Sequence, residues 1–413
     1  MNLKDHLEEL PITEAAKLLS NAKFPVILSG AGVVLADAIE DCKKIAEQLD
    51  APVACGYQHN DSFPGKHPLA IGPLGYNGSK AAMEIISKAD VVLALGTRLN
   101  PFSTLPGYGI DYWPKEAKII QVDFNSDRIG LAKKISVGIC GDAKLVAQQI
   151  LSQLSSTAGD SGREDRKALI HQTKSAWLQT LTSLDHEEDD EGTTWNKDSR
   201  ERDPDRMSPR MAWRAIQAGL PDDAIISSDI GNNCAIGNAY PTFEQGRKYL
   251  APGLFGPCGY GFPSVLGAKI GCPNTPVVGF SGDGAFGISM SEMTSCSREE
   301  WPNITMVIFR NYQWGAEKRN TTLWYDNNFI GTELDPKLSY AKIAEACGFK
   351  GVKVTTQSEL TEALKASCVD QMNGITTFIE VILNQELGEP FRRDAMKAPV
   401  EVAGINSQDT VVQ

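Results

Sequence analysis

The chain has 413 residues, too many for one ordinary domain and enough for two or three. With 42% hydrophobic and 22% charged residues it can build a sizeable core, and its formal net charge of −12 argues against nucleic acid or an anionic membrane as its main partner. Nine scattered cysteines form no C-x-x-C pair, the N-terminus is charged rather than an apolar signal core, and no run of about eighteen apolar residues occurs. Reduced thiols, a cytoplasmic location and no membrane span are therefore expected.

In chain order, the apolar run 24–29 reads as a buried strand ending in Gly30-Ala31-Gly32, followed by a helical pattern over 36–48. Runs 51–55, 89–96 and 118–123 are further strands, and a helix over 143–154 closes this block. Strands that are apolar on both faces and alternate with helices predict a parallel, doubly wound sheet. Gly30, Gly32 and Leu35 do not fit G-x-G-x-x-G, so the block carries no fingerprint for a flavin or nucleotide. His59 and His67 read as packing or surface residues.

Between 155 and 207 the sequence is dense in charge and poor in core formers, apart from one possible helix over 169–184, and reads as a linker. The second block opens at Ser208-Pro209, an N-cap followed by proline at the first helical position. Strands are expected at 224–229, 276–281, 304–309 and 377–382, with a glycine-rich stretch over 253–267. The expected architecture is α/β, with two doubly wound parallel-sheet domains at 11–154 and 208–400 joined by the charged linker 155–207.

The chemistry concentrates in the second block. Gly282-Asp283-Gly284 directly follows one strand, and Asn311, 28 residues after Asp283, directly follows another. That interval holds one crossover helix, so the two side chains would stand side by side at the carboxyl edge of the sheet. A carboxylate and an amide oxygen, completed by phosphate oxygens and water, make a magnesium site. Gly284 lets backbone approach a phosphate closely.

This pairing resembles the diphosphate-binding motif of the thiamine-diphosphate-dependent, acetolactate synthase-like enzymes, and the likeness extends along the second block. The resemblance implies thiamine diphosphate and Mg2+ as cofactors, with Asp283, Asn311 and the carbonyl of Gln313 as metal ligands. It places Gly282, Gly284 and Ala285 against the diphosphate, Ile230, Gly231, Asn232 and Asn233 in the turn that wraps it, and Trp314 and Gly315 just past the metal ligands. Gly256 would accept from the aminopyrimidine. Cys258 falls where the family has a large apolar residue that bends the cofactor, and Arg310 stands where the family often has a first asparagine. The first block resembles the family's central domain.

Two segments, Trp314-Gly315-Ala316-Glu317-Lys318-Arg319-Asn320 and the arginine-bearing stretch 387–400, resemble a branch that passes an acetyl group from a sulfonated aldehyde to phosphate. Its substrates are small anions, which makes Arg392 and Arg393, then Lys318 and Arg319, candidate anion binders. An acetolactate synthase-like enzyme of 2-oxo acids, or a non-catalytic subunit that binds thiamine diphosphate, are the alternatives. The family also has a pyrimidine-binding domain whose glutamate activates the cofactor, and it forms its sites between subunits. The chain is accordingly expected to be a fragment, inactive alone, of an enzyme that assembles as a homodimer or homotetramer.

Overall fold

The computed structural model describes residues 9–155, 163–183, 194–253 and 255–386. They form two compact units. Among the described residues, the first runs to Thr180 and includes Thr242–Arg247; the second comprises Leu181–Pro241 and Lys248–Glu386. No helix among the described residues is long and apolar enough to cross a membrane.

The first unit holds strands β1 (Pro25–Ser29), β2 (Val53–Cys55), β3 (Ala70–Pro73), β4 (Val91–Leu95), β5 (Lys118–Asp123) and β6 (Val137–Cys140). They pair in parallel in the order β3-β2-β1-β4-β5-β6. Strands β1, β2 and β4 are buried along their whole length, as continuous apolar runs require when helices cover both faces. Gly30 and Gly32 serve packing: a Cβ on Gly30 would lie 2.6 Å from the Gly96 carbonyl oxygen, and one on Gly32 would lie 2.7 Å from the Gly96 Cα. The helix expected over 36–48 is Ile39–Leu49; a short helix, Ala31–Leu35, precedes it, and Asp37 between the two takes φ 55°.

The second unit holds β7 (Ile225–Ser228), β8 (Tyr249–Leu250), β9 (Val277–Gly282), β10 (Thr305–Arg310), β11 (Lys350–Val354) and β12 (Thr377–Ile382). All pair in parallel in the order β11-β12-β10-β9-β7-β8. The chain steps from β7 outward to β8 and then returns to the other side of β7 with β9. That reversal is the point at which open α/β sheets bind ligands. Ser208 caps the helix Pro209–Gly219 by accepting from the Met211 N–H, as its sequence predicts.

The segment 155–207 is more structured than its charge implies, carrying helices Arg163–Ser183 and Thr194–Arg202. The first belongs largely to unit one. Its Arg166, Ile170, Thr173 and Trp177 recur at helical spacing and are all buried. Arg166 donates to the carbonyls of Lys23 at 2.8 Å and Leu49 at 3.0 Å, satisfying helix and loop ends that would otherwise be exposed. Half of this buried stripe is polar, so a hydrophobic pattern alone does not reveal it.

Candidate cofactor site

The site is built by the loops that follow β7, β9 and β10, together with the glycine-rich loop 256–261. Asp229, one residue past β7, is 1% exposed and accepts four hydrogen bonds. Its Oδ1 takes the Ile230 N–H at 2.8 Å and the Gly259 N–H at 3.0 Å. Its Oδ2 takes the Gly261 N–H at 2.9 Å and the Ser281 hydroxyl at 3.1 Å. One carboxylate thus ties three segments into a fixed cradle. Burial pushes its pKa up, and those four hydrogen bonds work against the shift. Beyond it, Gly231 has φ 122°, a backbone state open to glycine, and turns the chain into the helix Asn232–Ile236.

In the parallel register Phe309 lies opposite Gly282, so Arg310 and Asp283 leave the sheet together. Asp283 is 1% exposed. Its Oδ2 accepts the Tyr312 N–H at 2.7 Å and Arg310 Nη1 at 3.0 Å, while Oδ1 accepts the Gly284 N–H at 3.0 Å. Burial raises its pKa to about 6, against the pull of Arg310 and these N–H groups. The Tyr340 hydroxyl holds the Asp283 carbonyl at 2.8 Å.

Asn311 stands between Asp283 and Gln313. Its amide oxygen faces Asp283 Oδ1 and the Gln313 carbonyl oxygen, so three oxygens stand face to face, a donor set suited to a small divalent cation. The reversed amide would instead donate to Asp283 Oδ1 at 3.2 Å and to the Gln313 carbonyl at 3.1 Å, and accept from Asn233 Nδ2 at 3.3 Å. The Gln313 side chain is turned elsewhere, donating to the Gln385 carbonyl at 3.0 Å, so its contribution to this cluster is its carbonyl.

These groups wall a cavity of about 190 Å3. It gathers all fourteen residues that the sequence marks as cofactor contacts, from Ile230, Gly231, Asn232 and Asn233 through Gly256 and Cys258 to Gly282–Ala285, Asn311 and Gln313–Gly315. Cys234, Ala316 and Glu317 join them. Three helices, Asn232–Ile236, Asp283–Ser289 and Gly315–Trp324, begin at this wall without a side-chain cap, leaving backbone N–H donors for an anion. Cys258 is half-buried, and burial followed by the charges of Asp229 and Glu317 raises its thiol pKa.

The anion candidates separate. Lys318 is buried and ion-paired with Glu333. Arg319 is buried and donates through Nη1 to Asn232 Oδ1 at 3.3 Å, on the cavity wall. Arg392 and Arg393 lie outside the described residues. The carboxylate function of Asp229 and the contact of Arg310 with Asp283 went unread in the sequence. An arginine closing an otherwise apolar strand was the available signal, since a buried guanidinium requires a partner.

The model of the thiamine pyrophosphate enzyme central domain matches residues 12–150, and that of the C-terminal TPP binding domain matches 229–381. The chain belongs to the thiamine pyrophosphate enzyme family.

Within that family it is 76% identical, over 97% of its length and 68% of the relative's, to a probable sulfoacetaldehyde acetyltransferase of Rhizobium meliloti (strain 1021). It is 72% identical to a sulfoacetaldehyde acetyltransferase of Roseovarius nubinhibens, over 97% of this chain and 66% of the relative. A probable acetolactate synthase large subunit of Methanococcus aeolicus is more distant, at 29% identity over 86% of this chain and 57% of the relative. The chain spans about two thirds of the length of the acetyltransferases it matches.

Proposed function

We propose that the chain carries the diphosphate- and metal-binding part of an acetyltransferase that converts sulfoacetaldehyde and phosphate into acetyl phosphate and sulfite. The observation that carries this reading is the contrast in identity, 68–76% to three acetyltransferases of that name against 27–30% to acetolactate synthases. Free cysteines throughout suit a reducing, cytoplasmic setting.

The donor set fits the cofactors. Asp283 Oδ1, the Asn311 amide oxygen and the Gln313 carbonyl, which already face one another, would hold Mg2+. Backbone N–H groups at Asn232, Asn233 and Ala285, with that of Gly284 now donating to Asp283 Oδ1, would bind the diphosphate, and the Gly256 carbonyl would accept from the aminopyrimidine. Thiamine diphosphate supplies a carbanion that adds to an aldehyde and then acts as an electron sink. The chain's residues orient it and exclude water. Arg319, and the Arg392–Arg393 pair, are the proposed binders of sulfonate or phosphate oxygens.

The test is release of sulfite and acetyl phosphate from sulfoacetaldehyde and phosphate, with thiamine diphosphate and Mg2+ present. It is run on the chain alone and on the chain joined to the part of the Rhizobium relative that lies outside the match. Sulfite and acetyl phosphate in equal amounts from either preparation support the reading. Cofactor binding with consumption of pyruvate and no sulfite overturns it in favour of a 2-oxo acid enzyme.

A further inference from the structure

We propose that Arg310 is a positioning residue for the metal, gripping one oxygen of Asp283 so that the other faces the Asn311 amide and the Gln313 carbonyl. The inference rests on the metal reading above. Arg310 ends β10 and is fully buried. Both terminal nitrogens of its guanidinium are engaged. Nη1 donates to Asp283 Oδ2 at 3.0 Å, and Nη2 donates to the carbonyls of Asp335 at 2.5 Å and Leu338 at 3.2 Å. Its Cζ lies 4.3 Å from the Tyr312 ring centre and 5.4 Å from that of Tyr340.

A carboxylate has two equivalent oxygens and can rotate between them. At Asp283 that symmetry is broken, because Arg310 and the Tyr312 N–H both occupy Oδ2, leaving Oδ1 toward the cluster of metal-type donors. Glu380, the other buried carboxylate nearby, is at ion-pair but not hydrogen-bond distance: Nε stands 3.8 Å from Glu380 Oε1, and Glu380 is satisfied at its other oxygen by the Ser339 hydroxyl at 2.6 Å and the Ala341 N–H at 3.1 Å. The buried trio of Asp283, Arg310 and Glu380 therefore holds two carboxylates and one guanidinium, and its surplus negative charge favours a cation at Oδ1. Lysine could supply the charge but not the planar fork that spans a carboxylate and two carbonyls.

The experiment measures Mn2+ binding by loss of the free-ion paramagnetic resonance signal, with thiamine diphosphate present, for Arg310→Lys and Arg310→Gln alone and in an Asp283→Asn background. Thermal unfolding establishes that each variant is folded. Both single variants are expected to bind Mn2+ about 10–100-fold more weakly, the usual loss when a partner of a metal ligand is removed. In the Asp283→Asn background the same changes should move the affinity less than about 2-fold, since the arginine acts through that carboxylate. Equal weakening in both backgrounds, unchanged affinity in the single variants, or failure of both to fold would overturn the proposal. A parent chain that takes up no Mn2+ would overturn the metal reading itself, an outcome distinct from these.

Discussion

The indole of Trp314 lies over Gly284 so closely that a Cβ on the glycine would sit 2.9 Å from ring atom Cδ2 and 3.0 Å from Cε2 and Cε3. A ring face cannot swing aside like the end of a flexible chain, so Gly284→Ala must displace Trp314 from the cavity wall. The expected result is a loss of about 1–3 kcal/mol in stability of the second unit, together with weaker thiamine diphosphate binding measured by tryptophan quenching. Gly284→Ala combined with Trp314→Phe, which makes room, should recover much of the stability. If Gly284→Ala alone leaves both properties unchanged, the close approach has no energetic content.

Asp229 gives a second prediction. In Asp229→Asn the amide keeps the shape of the carboxylate but offers an NH2 where the Gly261 N–H and Ser281 hydroxyl now point toward Oδ2. The hydroxyl can turn to accept, whereas the Gly261 N–H loses its acceptor. A cost of about 2 kcal/mol follows for a buried donor that had a charged partner. Urea denaturation measures it, and weakened diphosphate binding should accompany it because the glycine-rich loop and the Ile230 turn share this anchor.

Metal and cofactor should stabilise the second unit through linkage. At a hundredfold excess over its dissociation constant a ligand adds about 2.7 kcal/mol. Mg2+ with thiamine diphosphate should therefore raise the unfolding midpoint of the parent chain, and neither Asp283→Asn nor Asn311→Leu should show that rise. Calorimetry with and without chelator checks this. A shift that survives in both variants would place the cation elsewhere.

The first unit carries its own pH dependence. Burial, and then the charge of Arg98, lower His59 from 6.5 to about 4. Between these values the unfolded chain holds a proton that the folded one does not. The contribution of His59 to stability is thus complete above about pH 6.5 and is lost as the pH falls toward 4. Urea midpoints measured across that window should fall more steeply for the parent chain than for His59→Gln, and parallel curves would refute the assignment.

Much of this was readable in one dimension. The buried strands β1, β4, β5, β9, β10 and β12 announce themselves as short apolar runs bounded by glycine or polar turns. The interval from Asp283 to Asn311 follows from one strand–helix–strand crossover, which is why a motif of two residues predicts that both lie at one sheet edge. The strands that went unread are short or peripheral. β8 has two residues, and β11 is an edge strand whose lysines at 350 and 353 interrupt any alternation. The helix Arg163–Ser183 hid because its buried side includes Arg166 and Thr173, satisfied by partners far away in the chain.

By itself, then, the order of residues determined the class of fold, the two parallel sheets and the residues that meet at the cavity, since hydrophobic runs, turn residues and crossover lengths are local properties. Which oxygen of Asp283 faces the metal-type donors, that Asp229 knits three loops, and that Lys318 is committed to Glu333 were decided by the tertiary structure alone. Hydrogen-bond direction and charge pairing depend on distances of about 3 Å between atoms that the chain brings together from tens of residues apart.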